Sequence, residues 1–346
     1  MVDTENSFFK IILSSFYNYE KDALKYVNKM EKDFKSIGEH YLNILPFNYN
    51  ERIKKLKEAI SLNNKFLKSI IKNYQYLFTN QKKQIETKPN DINKLRTTLT
   101  LLIRDWSLEG KKERDLSYKP IIDVLKIYFP DNKKRNNIKI LVPGTGLSRL
   151  LYEITKLGFD SYGLEVSYYM LMTSNYLLNE NITKNQFLIQ PYIHSFNNLY
   201  KEDDAFKIYS IPDENIKEEL NKSSGKFELI PSDFVNYLKT KSNFYEGIVT
   251  SFFIDTANNI IEFIELIYNS LKNKGIWVNF GPLLYHFTGI ENEISIELSW
   301  EDIRKIILKY NFEIKEEKFI QSPYSSNLSS MKQTQYTCIY FIVIKK

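Results

Sequence analysis

The chain has 346 residues, 43% hydrophobic and 26% charged, the balance of a globular protein with room for one large domain or a domain with an extension. Its 48 basic and 42 acidic residues leave a net charge of +6, without the clustered basic stripe of a nucleic-acid binder, so no nucleic-acid partner is expected. One cysteine, Cys338, and the scattered His40, His194 and His286 give no basis for a disulfide or a zinc set, so no metal is expected.

The opening Met1–Asn6 is acidic where a targeting leader would be basic, and no run approaches the roughly 18 apolar residues of a membrane span. The expected location is the cytoplasm, extending to the nucleus, with no membrane partner. From Ser7 to about Tyr128 glycine and proline are scarce and apolar residues recur at helical spacing. Phe8, Ile11, Ile12, Ser15 and Phe16 form one face, and Ile60, Leu62, Phe66, Ile70, Ile71 and Tyr74 another. Lys82–Asp91, with Pro89, is predicted as a loop. Helices are predicted over Leu95–Leu108 and Asp115–Phe129.

Beyond Ile138 the pattern alternates. Strands are predicted at Ile138–Val142, Ser161–Glu165, Lys226–Ile230, Gly247–Ile254 and Ile276–Phe280. Helices are predicted at Leu147–Leu157, Tyr168–Leu178, Ile260–Leu271 and Trp300–Tyr310. Strand–helix alternation implies a doubly wound parallel α/β sheet. Two last strands, Glu313–Ile320 and Tyr336–Ile344, have no helix between them and are expected to close the sheet as an antiparallel pair. That ending belongs to the class I, Rossmann-like methyltransferase sheet, whereas a dinucleotide-binding fold keeps alternating. The chain divides by texture into a helical region, 1–128, expected to cover the active site, and an α/β domain, 129–346.

The first strand runs into Pro143-Gly144-Thr145-Gly146, whose glycines allow a tight turn and close approach to a ligand; an ordinary strand–helix turn reads the same way. Arg149 stands where a dinucleotide fingerprint wants a third glycine, which disfavours a nicotinamide oxidoreductase. Glu165 ends the second strand about 20 residues on, where a carboxylate accepts from a ribose diol. Asp233 follows the third strand, suited to an adenine amino group with Phe234 stacked on the base, or to an N-cap. Together these three strand ends predict an adenosine cofactor without pyrophosphate, S-adenosylmethionine. Asp255 ends the fourth strand as a substrate-facing group or a helix cap. His286 lies in the aromatic stretch Gly281–Phe287 after the fifth strand, catalytic or structural.

At this point the residues resemble the carnosine N-methyltransferase family, from about Lys94 to the C-terminus. The blocks that carry the resemblance are Ile103-Arg104-Asp105-Trp106-Ser107 with Glu109-Gly110 and Glu113-Arg114-Asp115; Ile140–Gly144; Phe252–Ala257; Gly281–Phe287; and Glu297–Ile303. The resemblance implies methyl transfer from S-adenosylmethionine to an imidazole nitrogen of a histidine-containing dipeptide, giving anserine from carnosine. It carries cofactor contacts to Arg104, Gly144, Glu165, Asp233 and Phe234. Gly146 joins them as part of the loop, and Ser251 by its place in the strand. Substrate contacts carry to Asp255, His286 and Tyr336, the expected catalytic set, and to Tyr324. A homodimer is also implied. The chain departs from the family pattern at Leu101, where a glutamine is usual, at Ser148, where a third glycine is familiar, and at Asn258, where a histidine is usual. The rival readings are a methyltransferase of protein histidine or another imidazole metabolite, and a non-enzymatic scaffold.

Overall fold

The computed structural model describes residues 2–77 and 89–346. In chain order its principal elements are α1 (Val2–Ser36), α2 (Tyr49–Ile70), α3 (Pro89–Trp106), α4 (Lys111–Ser117), α5 (Lys119–Tyr128), β1 (Lys139–Pro143), α6 (Arg149–Lys156), β2 (Asp160–Glu165) and α7 (Tyr168–Asn179). There follow β3 (Phe187–Ile189), β4 (Tyr209–Ile211), β5 (Phe227–Pro231), α8 (Phe234–Leu238), β6 (Tyr245–Ser251), α9 (Ile260–Ser270), β7 (Leu271–Gly281), α10 (Trp300–Lys309), β8 (Phe312–Pro323) and β9 (Gln335–Lys345). The loop predicted at Lys82–Asp91 lies outside the described residues as far as Lys88. Its end, Pro89–Asp91, instead opens α3, because proline is well placed where the helix has no partner for an N–H. The single helix predicted over Asp115–Phe129 is two, α4 and α5. Pro120 sits in the first turn of α5, where it cannot continue the hydrogen-bond ladder of α4.

The chain forms two compact units. The first comprises Met1–Glu109, Asn175–Asn215 and Asn327–Gln333. Its long helices bury stripes at helical spacing, Ile12, Phe16, Tyr19, Ala23 and Val27 from α1 and Leu95, Leu99, Leu102 and Trp106 from α3. Asn63 of α2 clamps the chain beyond β3, accepting from the Gln190 N–H at 2.7 Å and donating to its carbonyl at 2.8 Å. Tyr19 Oη accepts from the same Asn63 amide at 3.1 Å and lies 3.0 Å from His194 Nε2. Burial, with the charge of Arg96, pushes His194 down to about 3, so this ring is neutral and structural. The antiparallel pair β3–β4 also belongs here. Its strands are too short to announce themselves by alternation.

The second unit comprises Gly110–Ser174, Ile216–Ser326 and Thr334–Lys346, so the units part at Glu109 and not at Tyr128. The reason is packing: Ile121, Val124 and Leu125 of α5 share a core with Ile140 and Val142 of β1 and Val278 and Phe280 of β7. The sheet order is β5-β2-β1-β6-β7-β9-β8. All pairs are parallel except those of β9, which runs antiparallel to both β7 and β8. This is the class I methyltransferase sheet with its reversed closing strand, as the sequence predicts. A buried polar chain holds the reversed strand in register. Trp277 Nε1 donates to Thr250 Oγ1 (2.8 Å), which donates to Asn279 Oδ1 (2.8 Å), and Asn279 Nδ2 donates to the Ile339 carbonyl (3.0 Å). The strand order reverses between β1 and β6, and an open α/β sheet binds ligands at the carboxyl ends beside such a switch point.

Candidate active site

The turn after β1 is built from three left-handed residues, Gly144 (φ 62°), Gly146 (φ 55°) and Ser148 (φ 64°). A Cβ on Gly144 would lie 2.4 Å from Cδ2 of Phe253, so the loop is pressed against an aromatic wall that only glycine fits. A Cβ on Gly146 would meet nothing within 4 Å, so this side of the loop faces open space. Ser148 is fully buried, and it is the first-turn neighbour of α6 without capping it.

Glu165 ties the turn to the end of β2. One carboxylate oxygen accepts from the Gly146 N–H at 2.8 Å, the other from Val166 and Ser167 N–H groups at 2.9 and 2.8 Å. Burial raises this carboxyl, and the three N–H donors pull it back. Asp233 takes the capping role among its two readings, accepting from the Asn236 N–H at 2.9 Å at the start of α8, with its exposed side chain leaving the second oxygen open. Phe234 is only 4% exposed. Its ring packs between Phe263 (4.4 Å) and Phe253 (5.2 Å), facing the core.

The ends of β6 and β7 hold the other expected residues. Asp255 stands in a single 3₁₀ turn, Ile254–Thr256, and is 2% exposed. Its Oδ2 accepts from the Leu284 N–H at 2.9 Å, and its carbonyl from the His286 N–H at 3.1 Å. Burial pushes its carboxyl above the ordinary range, against the opposing pull of the Leu284 N–H and the nearby His286. Asp255 and His286 are therefore brought together across two strand ends. Between them and the sheet, Phe252 holds a left-handed backbone (φ 51°), and its ring lies 4.7 Å from that of Tyr324. An aromatic residue in that conformation is strained, and such strain collects at functional sites. Tyr336 is half-buried on β9, opposite Ser322 of β8. Arg104, at the end of α3, belongs to the first unit, where its guanidinium lies 4.0 Å from the Asp105 carboxylate.

A family model described as carnosine N-methyltransferase matches residues 81–346. Among curated relatives, the mouse (Mus musculus) carnosine N-methyltransferase is 35% identical over 99% of this chain and 86% of its own. The enzyme of that name from Dictyostelium discoideum is 36% identical over 97% of this chain and 76% of its own. That from Schizosaccharomyces pombe is 31% identical over 96% and 94%. The chain belongs to the carnosine N-methyltransferase family. Its cofactor is S-adenosylmethionine, and the residues at the strand ends fit that group. Thr145 Oγ1, Ser148 Oγ and Ser251 Oγ are shielded from water and take no hydrogen bond among the described residues. Buried hydroxyls without partners ask for one, and a ligand carrying amine, carboxylate and ribose groups would satisfy them. The open space at Gly146 admits it. The sequence reading named Ser251 for this role but gave none to the Thr145 and Ser148 hydroxyls. It also missed Phe253, whose contact with Gly144 depends on a fold that brings β1 and β6 side by side.

Proposed function

We propose that this family member transfers a methyl group from S-adenosylmethionine to an imidazole nitrogen of carnosine, giving anserine. The observation that carries the acceptor assignment is the buried Asp255 carboxylate beyond the end of β6, whose main-chain carbonyl also holds the His286 N–H. When bound, S-adenosylmethionine supplies an electrophilic methyl group on a sulfonium. Free imidazole titrates near ~6.5, so at neutral pH the acceptor ring is mostly uncharged and needs no strong base. What it needs is orientation, and near-attack positioning supplies roughly 7–11 kcal/mol of a barrier. The Asp255 carboxylate accepts the N–H of the ring's other nitrogen, which selects the tautomer with its lone pair directed at the methyl. The ring would become cationic as its N–C bond forms and the methyl–sulfur bond breaks, the electron pair leaving with the neutral thioether. A desolvated carboxylate is strongly stabilised by such a cation, and it takes the N–H proton as the ring returns to neutral. His286, Tyr336 and Tyr324 are assigned to holding the ring plane and the dipeptide.

The test is a methylation panel of carnosine, homocarnosine, free histidine and a histidine-containing peptide. Carnosine should have the highest kcat/KM; preference for the peptide or for another imidazole would transfer the assignment to protein histidine or to that metabolite. Arg104 is assigned to the cofactor carboxylate, a bidentate partner suited to a guanidinium. Arg104→Ala should weaken S-adenosylmethionine binding in calorimetry by about tenfold or more, and an unchanged Kd would remove it from the site. The proposal includes a homodimer acting on a small molecule in the cytoplasm and nucleus, checked by sedimentation and by imaging of a tagged chain.

A further inference from the structure

Tyr285 has no part in that chemistry, yet its side chain ties down the segment between β7 and α10. Its hydroxyl donates to the Leu298 carbonyl at 2.6 Å and accepts from the Leu298 N–H at 3.0 Å. Both polar groups of one residue's backbone are thus held by one phenol. On either side of Tyr285 the backbone is fixed elsewhere: the Leu284 N–H on Asp255 Oδ2, the His286 N–H on the Asp255 carbonyl. The tripeptide Leu284–His286 is therefore pinned from two directions, its backbone to Asp255 and its middle side chain to Leu298.

The segment that follows is closed by these bonds. Residues 286–298 leave from His286 and return to Leu298, immediately before Ser299 caps α10 by accepting from the Asp302 N–H. Part-way along, Asn258 donates to the Ile294 carbonyl at 3.0 Å and accepts from the Ile296 N–H at 2.9 Å. Tyr285 is half-buried and His286 exposed, so the phenol is the fixed base of the loop and the imidazole its working end. Burial and the neighbouring Asp255 charge raise the phenol, which keeps it protonated and able to donate.

We propose that Tyr285 is a positioning residue for the methyl acceptor: its two bonds to Leu298 fix the direction in which His286 leaves the Asp255 anchor, and so the pose in which the substrate ring is held. Tyr285→Phe keeps the ring and removes only the hydroxyl. Leu298 then loses both partners at the base of the loop, and His286 samples a wider range of directions. Substrate binding should suffer, while the groups that act once it is seated stay in place.

The kinetic part of this inference rests on the acceptor reading given above. Tyr285→Phe should raise KM for carnosine about tenfold, with kcat at saturation within about threefold and the Kd for S-adenosylmethionine within about twofold of wild type. A purely structural role would lower Tm and leave the KM-to-kcat split unchanged, and that result overturns the proposal. The second measurement does not depend on which acceptor is used. The chain has three histidines, so ring proton NMR resolves His286 beside His40 and His194, with His286→Ala giving the assignment. The His286 signals should shift and broaden in Tyr285→Phe while those of His40 and His194 hold, which also reports an intact fold. An unmoved His286 signal overturns the proposal even if carnosine is not the acceptor. Conversely, a protein that methylates no imidazole but shows the moved signal keeps the positioning and loses the acceptor reading.

Discussion

At the ends of β1 and β2 the surface proposed for the cofactor is made mostly of backbone. Glycines turn the chain, peptide N–H groups fill the Glu165 carboxylate, and the groups left without partners among the described residues are small hydroxyls. At the ends of β6 and β7 the surface is made of side chains held by a strap. Asp255 grips two peptide N–H groups, Tyr285 ties the strap down, and His286 is presented at its end. The difference suits the role proposed for each half. A cofactor shared by many reactions can be bound by a generic turn, whereas one ring nitrogen needs a charge and a direction. The first half should therefore be sensitive to backbone shape and the second to charge.

The largest expected effect is on charge. Asp255→Asn keeps the shape and the capacity to accept from the Leu284 N–H, but removes the negative charge. We expect kcat at saturating cofactor to fall by about 10²–10³-fold, the loss of one well-placed electrostatic group. A fall of less than about threefold would show that Asp255 does not stabilise the cationic ring. Stability should move the other way. The folded-state carboxyl is raised above its unfolded value, so its contribution is fully present below the unfolded pKa and is lost as pH rises through the folded one. At neutral pH the wild type bears a buried ionised carboxylate that Asn lacks. The variant should thus be the more stable protein near neutrality, by an advantage that shrinks as pH falls through the carboxylate range. Urea melts across that range measure it.

Next come two substitutions that separate shape from space within the first half. Gly144→Ala meets a left-handed backbone, about 1–2 kcal/mol for a non-glycine residue, and also the Phe253 ring, where overpacking adds roughly 1–3 kcal/mol. Gly146→Ala meets the backbone cost alone, about 1–2 kcal/mol. Denaturant midpoints should rank Gly144→Ala below Gly146→Ala. Affinity should show the opposite emphasis per unit of stability lost, because the methyl at Gly146 enters open space that the cofactor is expected to use. Undiminished S-adenosylmethionine binding in Gly146→Ala would mean that the loop is a structural turn and no cradle.

Much of the first half was legible because its signals are local. A strand, a Gly-Thr-Gly turn and a carboxylate about 20 residues on can be read from one stretch of sequence. The seven-stranded sheet was legible for the same reason, since alternation and a missing last crossover helix are patterns in order. Two things were not. Phe234, expected to stack on a base, is buried between Phe253 and Phe263, because α8 turns its apolar side into the core and an aromatic next to a strand-end acid cannot announce which way it faces. Tyr285 lies within the Gly281–Phe287 block but gave no signal of this role, since its partner is a peptide group whose closeness is set by the path of the loop. Asp255 and His286 were named from their places after two strands, and resemblance gave them their role; their mutual contact is a product of β6 and β7 being neighbours.

The smallest effect concerns Ser148, where the chain departs from a third glycine. The backbone there is left-handed, which explains why glycine is familiar at the position, and the buried hydroxyl has no partner among the described residues. Two terms bear on Ser148→Gly. Relief of the left-handed strain and of an unpaired buried hydroxyl favours the variant, and glycine's extra freedom in the unfolded chain opposes it by roughly 0.5–1 kcal/mol. Without cofactor the balance should be a gain of about 1 kcal/mol, read as a higher denaturant midpoint. With saturating S-adenosylmethionine the gain should shrink, because the hydroxyl then has a partner to lose. If the gain is the same with and without cofactor, the Ser148 hydroxyl faces no ligand. The backbone-built half would then bind through its peptide groups alone, which makes its contrast with the Asp255 half sharper still.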